Sequence, residues 1–315
     1  MAAISVPDFS VIVINFNGAE TLPACLSALR TQTWPQDRFE TIVLDNASRD
    51  HSLQLLRTQF PEVRVIAETR NTGFAEGNNL AIRDATGDVI VLLNNDTIPD
   101  PFWLEELHRA ILENPNCVVG SKLVLAAEPN RINSAGLFLL RDGRGADRSF
   151  EQLDRGQFEQ GGVLFAACAA AVAIPRALLR VPLFDPMYFL YCEDLEEAWA
   201  GQLAGRRTVL APRAVVRHLV GASAGDRSPL FWYYVERNRA LTALRHGDPF
   251  LVVYSLFGLG IRTLRAVFMA ILRRPAPKYS WPAVLAIGQA FGDVVRLAPE
   301  ILGQRFMNSR RRGPN

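Results

Sequence analysis

This 315-residue chain lacks the usual glycine loops for phosphate. There is no G-x-x-x-x-G-K-[ST], and the first apolar run ends in Asn15-Phe16-Asn17-Gly18 rather than G-x-G-x-x-G. Both absences argue against P-loop and dinucleotide-binding folds. The four cysteines (Cys25, Cys117, Cys168, Cys192) are far apart and form no C-x-x-C pair. Small residues around Cys25 and Cys168 suit buried thiols, and a reducing compartment is expected. The N-terminus has no basic stretch followed by an apolar core, so no signal peptide is expected. Internal repeats and low-complexity tracts are also missing.

The composition is that of a globular protein, 49% hydrophobic and 21% charged, with length for one large domain or up to two ordinary ones. The net charge of +2 hides an asymmetry. From Ile261 onward there are ten Lys/Arg and two acids, leaving 24 basic and 30 acidic residues before it. An acidic body with a basic, apolar tail points to a tail that meets an anionic surface.

The first hundred residues alternate strand and helix signals. Apolar runs at 9–16, 41–44, 63–67 and 89–93 each empty into polar residues: Asn15-Phe16-Asn17, Asp45-Asn46, Arg70-Asn71 and Asn94-Asn95-Asp96. Between them, Leu22, Cys25, Leu26 and Leu29 recur at helical spacing, as do Leu53, Leu55 and Leu56, and then Ala75, Leu80 and Ile82. This alternation predicts right-handed βαβ crossovers and an α/β fold with a mostly parallel sheet flanked by helices. Further along, the pattern predicts a helix from Phe102 to about Glu113, capped by Asp100 with Pro101 at its start, and a strand near 117–125. A mobile surface loop is expected over 142–162, a strand over 162–174, and a helix after Asp194 that Gly205 ends. Arginines interrupt every long apolar stretch of the tail, which argues against a spanning helix of ~20 apolar residues. Two readings remain for it: amphipathic helices in a membrane interface, or a helical subdomain packed on the core. The expected division is 1–245 and 246–315.

Polar groups just beyond buried parallel strands line the ligand crevice of such sheets. Asp45 there suits a nucleobase N–H, and Asp96 suits a metal ion or a ribose hydroxyl; oxygen ligands and a diphosphate favour Mg²⁺ or Mn²⁺. Asp45 could instead cap the next helix, and Asn94-Asn95-Asp96 could be a polar turn. Glu193-Asp194-Leu195-Glu196-Glu197 crowds four carboxylates at a helix start after an aromatic cluster (Phe184, Tyr188, Phe189, Tyr191), a setting that raises a carboxylate pKa toward a general base. His218 ends a strand before a Gly/Ser loop, which allows a metal or phosphate role or simple packing.

Taken together, these segments resemble the inverting glycosyltransferases of family 2, especially their rhamnosyltransferase-like branch. The matching pieces are Val11-Ile12-Val13-Ile14-Asn15-Phe16-Asn17-Gly18, Val43-Leu44-Asp45-Asn46-Ala47-Ser48, Asn71-Thr72-Gly73-Phe74-Ala75-Glu76-Gly77-Asn78-Asn79, Leu93-Asn94-Asn95-Asp96-Thr97, Tyr191-Cys192-Glu193-Asp194 and His218. The resemblance covers roughly residues 8 to 245. It implies a GT-A fold with a helical amphipathic C-terminal extension. Asn15, Asn17, Asp45, Asn46, Asn78, Asn94 and Asn95 would then serve the nucleotide, and Asp96 and His218 the metal and diphosphate. Asp194, with Glu193 beside it, would be the catalytic base. Cys192 stands where the family has Gly, Glu196 where it has a second Asp, and Asn94 at the first position of its D-x-D motif. The implied activity moves a sugar, rhamnose first, from dTDP-rhamnose or a UDP-sugar. The acceptor would be a glycan or polyprenyl-diphosphate-linked molecule at the cytoplasmic face of a membrane, in cell-surface polysaccharide synthesis, with no nucleic acid involved. A nucleotidyltransferase and a catalytically silent sugar-nucleotide-binding protein are the alternatives.

Overall fold

The computed structural model describes residues 8–219, 228–272 and 280–311. The Gly/Ser loop from Val220 to Ser223, Arg273, Arg274, Lys278 and Arg312 lie outside them. The chain divides into two compact units: one comprises residues up to Phe138, Ala146–Phe189 and Glu197–Ser223, and the other Leu139–Gly145, Leu190–Glu196 and the chain from Ala224.

In the first unit the expected alternation is present. It runs β1 (Phe9–Asn15), α1 (Leu22–Arg30), β2 (Phe39–Asp45), α2 (Ser52–Gln59), β3 (Arg64–Ala67), α3 (Gly73–Asp84), β4 (Val89–Asn94), β5 (Thr97–Pro99), α4 (Trp103–Glu113) and β6 (Cys117–Leu125). Short strands follow: β7 (Ile132–Ser134), β8 (Leu137–Leu139), β9 (Gly145–Asp147), β10 (Gly162–Leu164) and β11 (Ala171–Pro175). Helix α5 (Glu193–Leu203), whose first four residues belong to the second unit, and the long β12 (Arg207–His218) follow. The main sheet has the order β10-β12-β6-β11-β4-β1-β2-β3. β1, β2, β3 and β4 pair in parallel, and β6 pairs in parallel with β12. β11 runs antiparallel to both β4 and β6, so those two share a direction. The carboxyl ends of β1, β2, β4 and β12 therefore lie along one edge. Val11, Val13, Val43, Val91, Val119 and Trp103 are among the side chains that fill the core against the helices. Two-sided burial explains why these strands are continuously apolar rather than alternating.

Three local expectations are corrected. The strand expected over 162–174 is two, because β10 pairs with β12 while β11 sits between β4 and β6, which no straight strand can do. The expected loop over 142–162 is largely tied down. Backbone bonds join Glu151 to Ile132 and Arg148 to Gly136, Lys122 pairs with Asp154 at 2.7 Å, and Arg148 stacks over Phe158. Asp100 does not cap a helix from Pro101: α4 begins at Trp103, and the Asp100 carbonyl takes its N–H at 2.9 Å. None of the four cysteines forms a disulfide; Cys25 is buried as expected, and Cys168 half-buried.

The second unit is built on three helices, α6 (Pro229–His246), α7 (Pro249–Ile271) and α8 (Trp281–Arg311), which pack pairwise. Ser228 caps α6 by accepting the Phe231 N–H at 3.1 Å, with Pro229 in the first turn. α6 buries an unusual run, Glu236, Arg237, Asn238 and Arg239. Glu236 is paired with Arg239 at 2.7 Å and with Arg262 at 2.9 Å, as a buried carboxylate requires.

Candidate active site

At the sheet edge, β1 ends in a buried amide that makes three hydrogen bonds. Asn15 Nδ2 donates to Asp45 Oδ1 at 2.9 Å and to Ser48 Oγ at 3.2 Å, while its Oδ1 accepts from Asn95 Nδ2 at 2.9 Å. One side chain thus ties together the ends of β1, β2 and β4. Asp45 also accepts the Ser48 N–H at 3.0 Å, so it orders its own turn rather than capping α2. Asn17, in the left-handed region at φ 52°, donates its N–H to Ser48 Oγ and accepts from the Arg49 N–H. Gly18 is obligatory here: a Cβ would stand 2.2 Å from Asn95 Nδ2 and 2.3 Å from Asn15 Oδ1. A cavity of about 570 Å³ lies against this turn, lined among others by Phe16, Ala47, Ser48, Arg49, Glu68 and Arg70. Another, of about 470 Å³ between α4 and β12, contains none of the expected site residues.

Two residues expected to serve the nucleotide make bonds within the scaffold. Asn46 spends its amide on Gly73 O, Thr72 N–H and Thr72 Oγ1, bracing the start of α3. Asn78 is buried and donates to Phe74 O within its own helix. At the start of α3 the Gly73 N–H donates to Asn71 Oδ1 at 2.8 Å, and the Phe74 and Ala75 N–H groups donate to the Phe189 carbonyl. Asn79, which the sequence reading passed over, clamps Phe184 through both its carbonyl and its N–H.

Asp96 and His218 are brought together by strand pairing. β5 lies antiparallel to β12 with Thr97 opposite His218, and the Leu219 N–H donates to the Asp96 carbonyl at 2.8 Å. This sets Asp96 Oδ1 3.3 Å from His218 Nε2. His218 Nδ1 faces Asn133 Oδ1 at 2.8 Å, a partner on β7 that the sequence reading missed. Asp147, also missed, is close enough to interact with His218; burial pushes its pKa up, against a hydrogen bond with Ser134 and the His218 charge. With Nδ1–H donated to Asn133, Nε2 faces a carboxylate oxygen, an arrangement that calls for a proton or a cation between them. Asn94 Oδ1 nearby in sequence is buried without a hydrogen-bond partner. No cluster of three or more His, Cys, Asp or Glu suited to a metal occurs among the described residues. The pair therefore fits a Mg²⁺ or Mn²⁺ that keeps water and diphosphate oxygens as its other ligands, not a closed protein cage.

At the start of α5, the four clustered carboxylates divide by environment. Glu196 is ion-paired with His246 at 2.8 Å and Arg245 at 3.5 Å. Glu193 is buried, and one of its carboxylate oxygens (Oε2) lacks a hydrogen-bond partner; burial, then the neighbouring Asp194 charge, pushes its pKa up to about 8. Glu197, in the first unit, is buried and paired with Arg206. Asp194 alone of the four is partly exposed. It follows Tyr191 and Cys192, both left-handed at φ 67° and 65°, in a backbone that L-residues rarely adopt. Fully buried Asn238 holds that turn, donating to Leu190 O at 2.9 Å and Tyr191 O at 2.8 Å. It was not anticipated from the sequence.

The family model for glycosyl transferase family 2 matches residues 10–180, more than half of the chain. The chain belongs to glycosyl transferase family 2. It is 31% identical to glycosyltransferase AglE of Haloferax volcanii over 32% of this chain and 34% of AglE. The chain spans about a third of the length of AglE and a fifth of that of the curated poly(ribitol-phosphate) β-N-acetylglucosaminyltransferase TarS, less than two thirds in each case. Among solved structures it resembles S. aureus TarS, with 17% identity, 95% of this chain and 50% of that one covered, and a TM-score of 0.56. It also resembles the mannosyltransferase PcManGT of Pyrobaculum calidifontis in complex with GDP-Man and Mn²⁺, at 18% identity, 92% and 87% coverage and a TM-score of 0.55. These likenesses show the GT-A fold.

Gly18→Ala should destabilise this family 2 domain by about 1–3 kcal/mol, since it breaks the buried Asn15–Asn95 contact; urea unfolding measures the loss. Glu193 carries a second expectation. Its folded pKa near 8 is far above the ordinary 4.5, so the folded state holds the extra proton between the two values. Its contribution is fully present below about pH 4.5 and is lost as pH rises through 8. Glu193→Gln should remove that decline, so Tm measured across this range falls less steeply in the variant.

Proposed function

We propose that this chain transfers a sugar from a nucleoside-diphosphate-sugar to a hydroxyl of a cell-surface glycan or its polyprenyl-diphosphate-linked precursor, with inversion at the anomeric carbon. The Asp96–His218 pair at the strand-end edge carries this reading, a carboxylate and an imidazole 3.3 Å apart where a donor diphosphate is expected. The Asn15–Asp45–Ser48 network supports a nucleoside beside it: Phe16, 40% exposed, offers a ring face, and Arg49 and Arg70 supply positive charge. Asp194 takes the proton of the acceptor hydroxyl as that oxygen attacks the anomeric carbon and the bond to the diphosphate breaks. Glu193, protonated below about pH 8, adds no second negative charge to the base. When bound, Mg²⁺ or Mn²⁺ supplies Lewis-acid stabilisation of the diphosphate leaving group.

The donors to try first are dTDP-rhamnose, from the rhamnosyltransferase-like resemblance, and UDP-sugars, since TarS is solved in complex with UDP-GlcNAc. TarS is a poly(ribitol-phosphate) β-N-acetylglucosaminyltransferase, which supports a cell-surface polymer as the acceptor class. The reading keeps residues 1–245 as the transferase domain and 246–315 as a tail at the cytoplasmic face of the membrane.

Calorimetric titration with UDP, dTDP and GDP, each with and without Mn²⁺, tests the donor side. One nucleotide should bind in a metal-dependent way, and Asp96→Ala should weaken that binding; unchanged affinity removes Asp96 from the site. Asp194→Asn should lower transfer by about 10²–10⁴-fold with nucleotide affinity intact. Transfer that persists shows another base, and wild-type binding with no turnover on any acceptor identifies a sugar-nucleotide-binding protein instead.

A further inference from the structure

Helix α7 is apolar on both faces. Its inner face, at Leu251, Ser255, Leu259 and Ala266, is buried within the helical unit. Its outer face carries Phe250, Tyr254, Phe257, Leu264, Phe268 and Ile271, each 51–76% exposed and recurring at helical spacing. Arg265 is the one charged residue on that face, and α7 contains no acid at all. A helix apolar all round is one that something covers.

Three occupants can be weighed. With 23 residues, about 34 Å long, α7 has the length and composition to cross a bilayer. Near its midpoint, however, half-buried Arg262 joins an ionic trio with the buried Glu236 and Arg239 of α6. Spanning would carry those charges to the centre of the hydrocarbon, where they are costly. A second copy docking by the same face would set Arg265 of α7 against another apolar, acid-free helix, without the opposite charges that flank helix seams. A bilayer surface has neither problem. The apolar face enters the acyl boundary, Arg265 meets anionic headgroups, and the net positive charge of the chain from Ile261 onward has the matching sign.

We infer that α7 lies parallel to the surface of an anionic phospholipid bilayer, with its Phe250–Ile271 outer face in the headgroup–acyl boundary. This rests on the membrane-linked acceptor of the proposed function and assigns the surface that would meet that membrane. The test is co-sedimentation of the full chain with vesicles of phosphatidylcholine alone and of phosphatidylcholine mixed with phosphatidylglycerol. The chain should bind the mixed vesicles, less so in high salt, and should come off in alkaline carbonate. Phe257→Ser combined with Leu264→Ser should lower partitioning by about tenfold or more. Arg265→Glu should weaken binding to the mixed vesicles selectively. Nucleotide titration of each variant, unchanged from wild type, shows that the transferase domain is folded. No binding to either vesicle, or retention through carbonate, overturns the inference; so does a dimer in light scattering that the same substitutions dissociate. Vesicle binding without any nucleotide binding leaves this inference standing and removes the transferase reading.

Discussion

A buried hydrogen-bond network is costly when half made, and the sheet of this protein ends in one. Asn15 satisfies Asp45, Ser48 and Asn95 with one amide, so three strand ends are held at fixed separations. Gly18 permits that closeness because no side chain fits between Asn15 and Asn95. The polar edge is thus held in place by the protein's own contacts, the preorganisation that the proposed donor site would use.

The same economy governs the acidic residues. Four carboxylates at the start of α5 look interchangeable in sequence, yet their surroundings separate them. Glu196 and Glu197 are neutralised by His246, Arg245 and Arg206, and Glu193 keeps a proton because it is buried beside Asp194. Asp194 is left as the member that reaches solvent. A cluster of like charge is tolerable only when most of its members are paired or neutral, and the backbone strain at Tyr191 and Cys192 is the accompanying cost. Asn238 offsets it by bonding both carbonyls of that turn.

Much of the fold was legible because its signals are local. The apolar runs ending at Asn15, Asp45 and Asn94 became β1, β2 and β4, and the Leu22–Leu29 periodicity became α1. α6 could also have been found: Ser228-Pro229 at its start and Gly247 after its end are ordinary helix signals. The split of 162–174 between β10 and β11 was not legible, since it depends on which distant strands each half meets. Nor were the roles of Asn46 and Asn78, whose amide chemistry suits a ligand and a scaffold equally until their partners are known.

The sequence by itself determined the order of the elements, the polar character of the strand ends and the apolar, basic nature of the tail, because each follows from neighbours along the chain. Tertiary structure alone decided that Asp96 meets His218, that Asn133 orients the imidazole, and that Asn238 holds the turn before Asp194. Those contacts arise from the register of β5 on β12 and from helix packing, where residues far apart in the chain become neighbours only after the backbone's hydrogen bonds are satisfied.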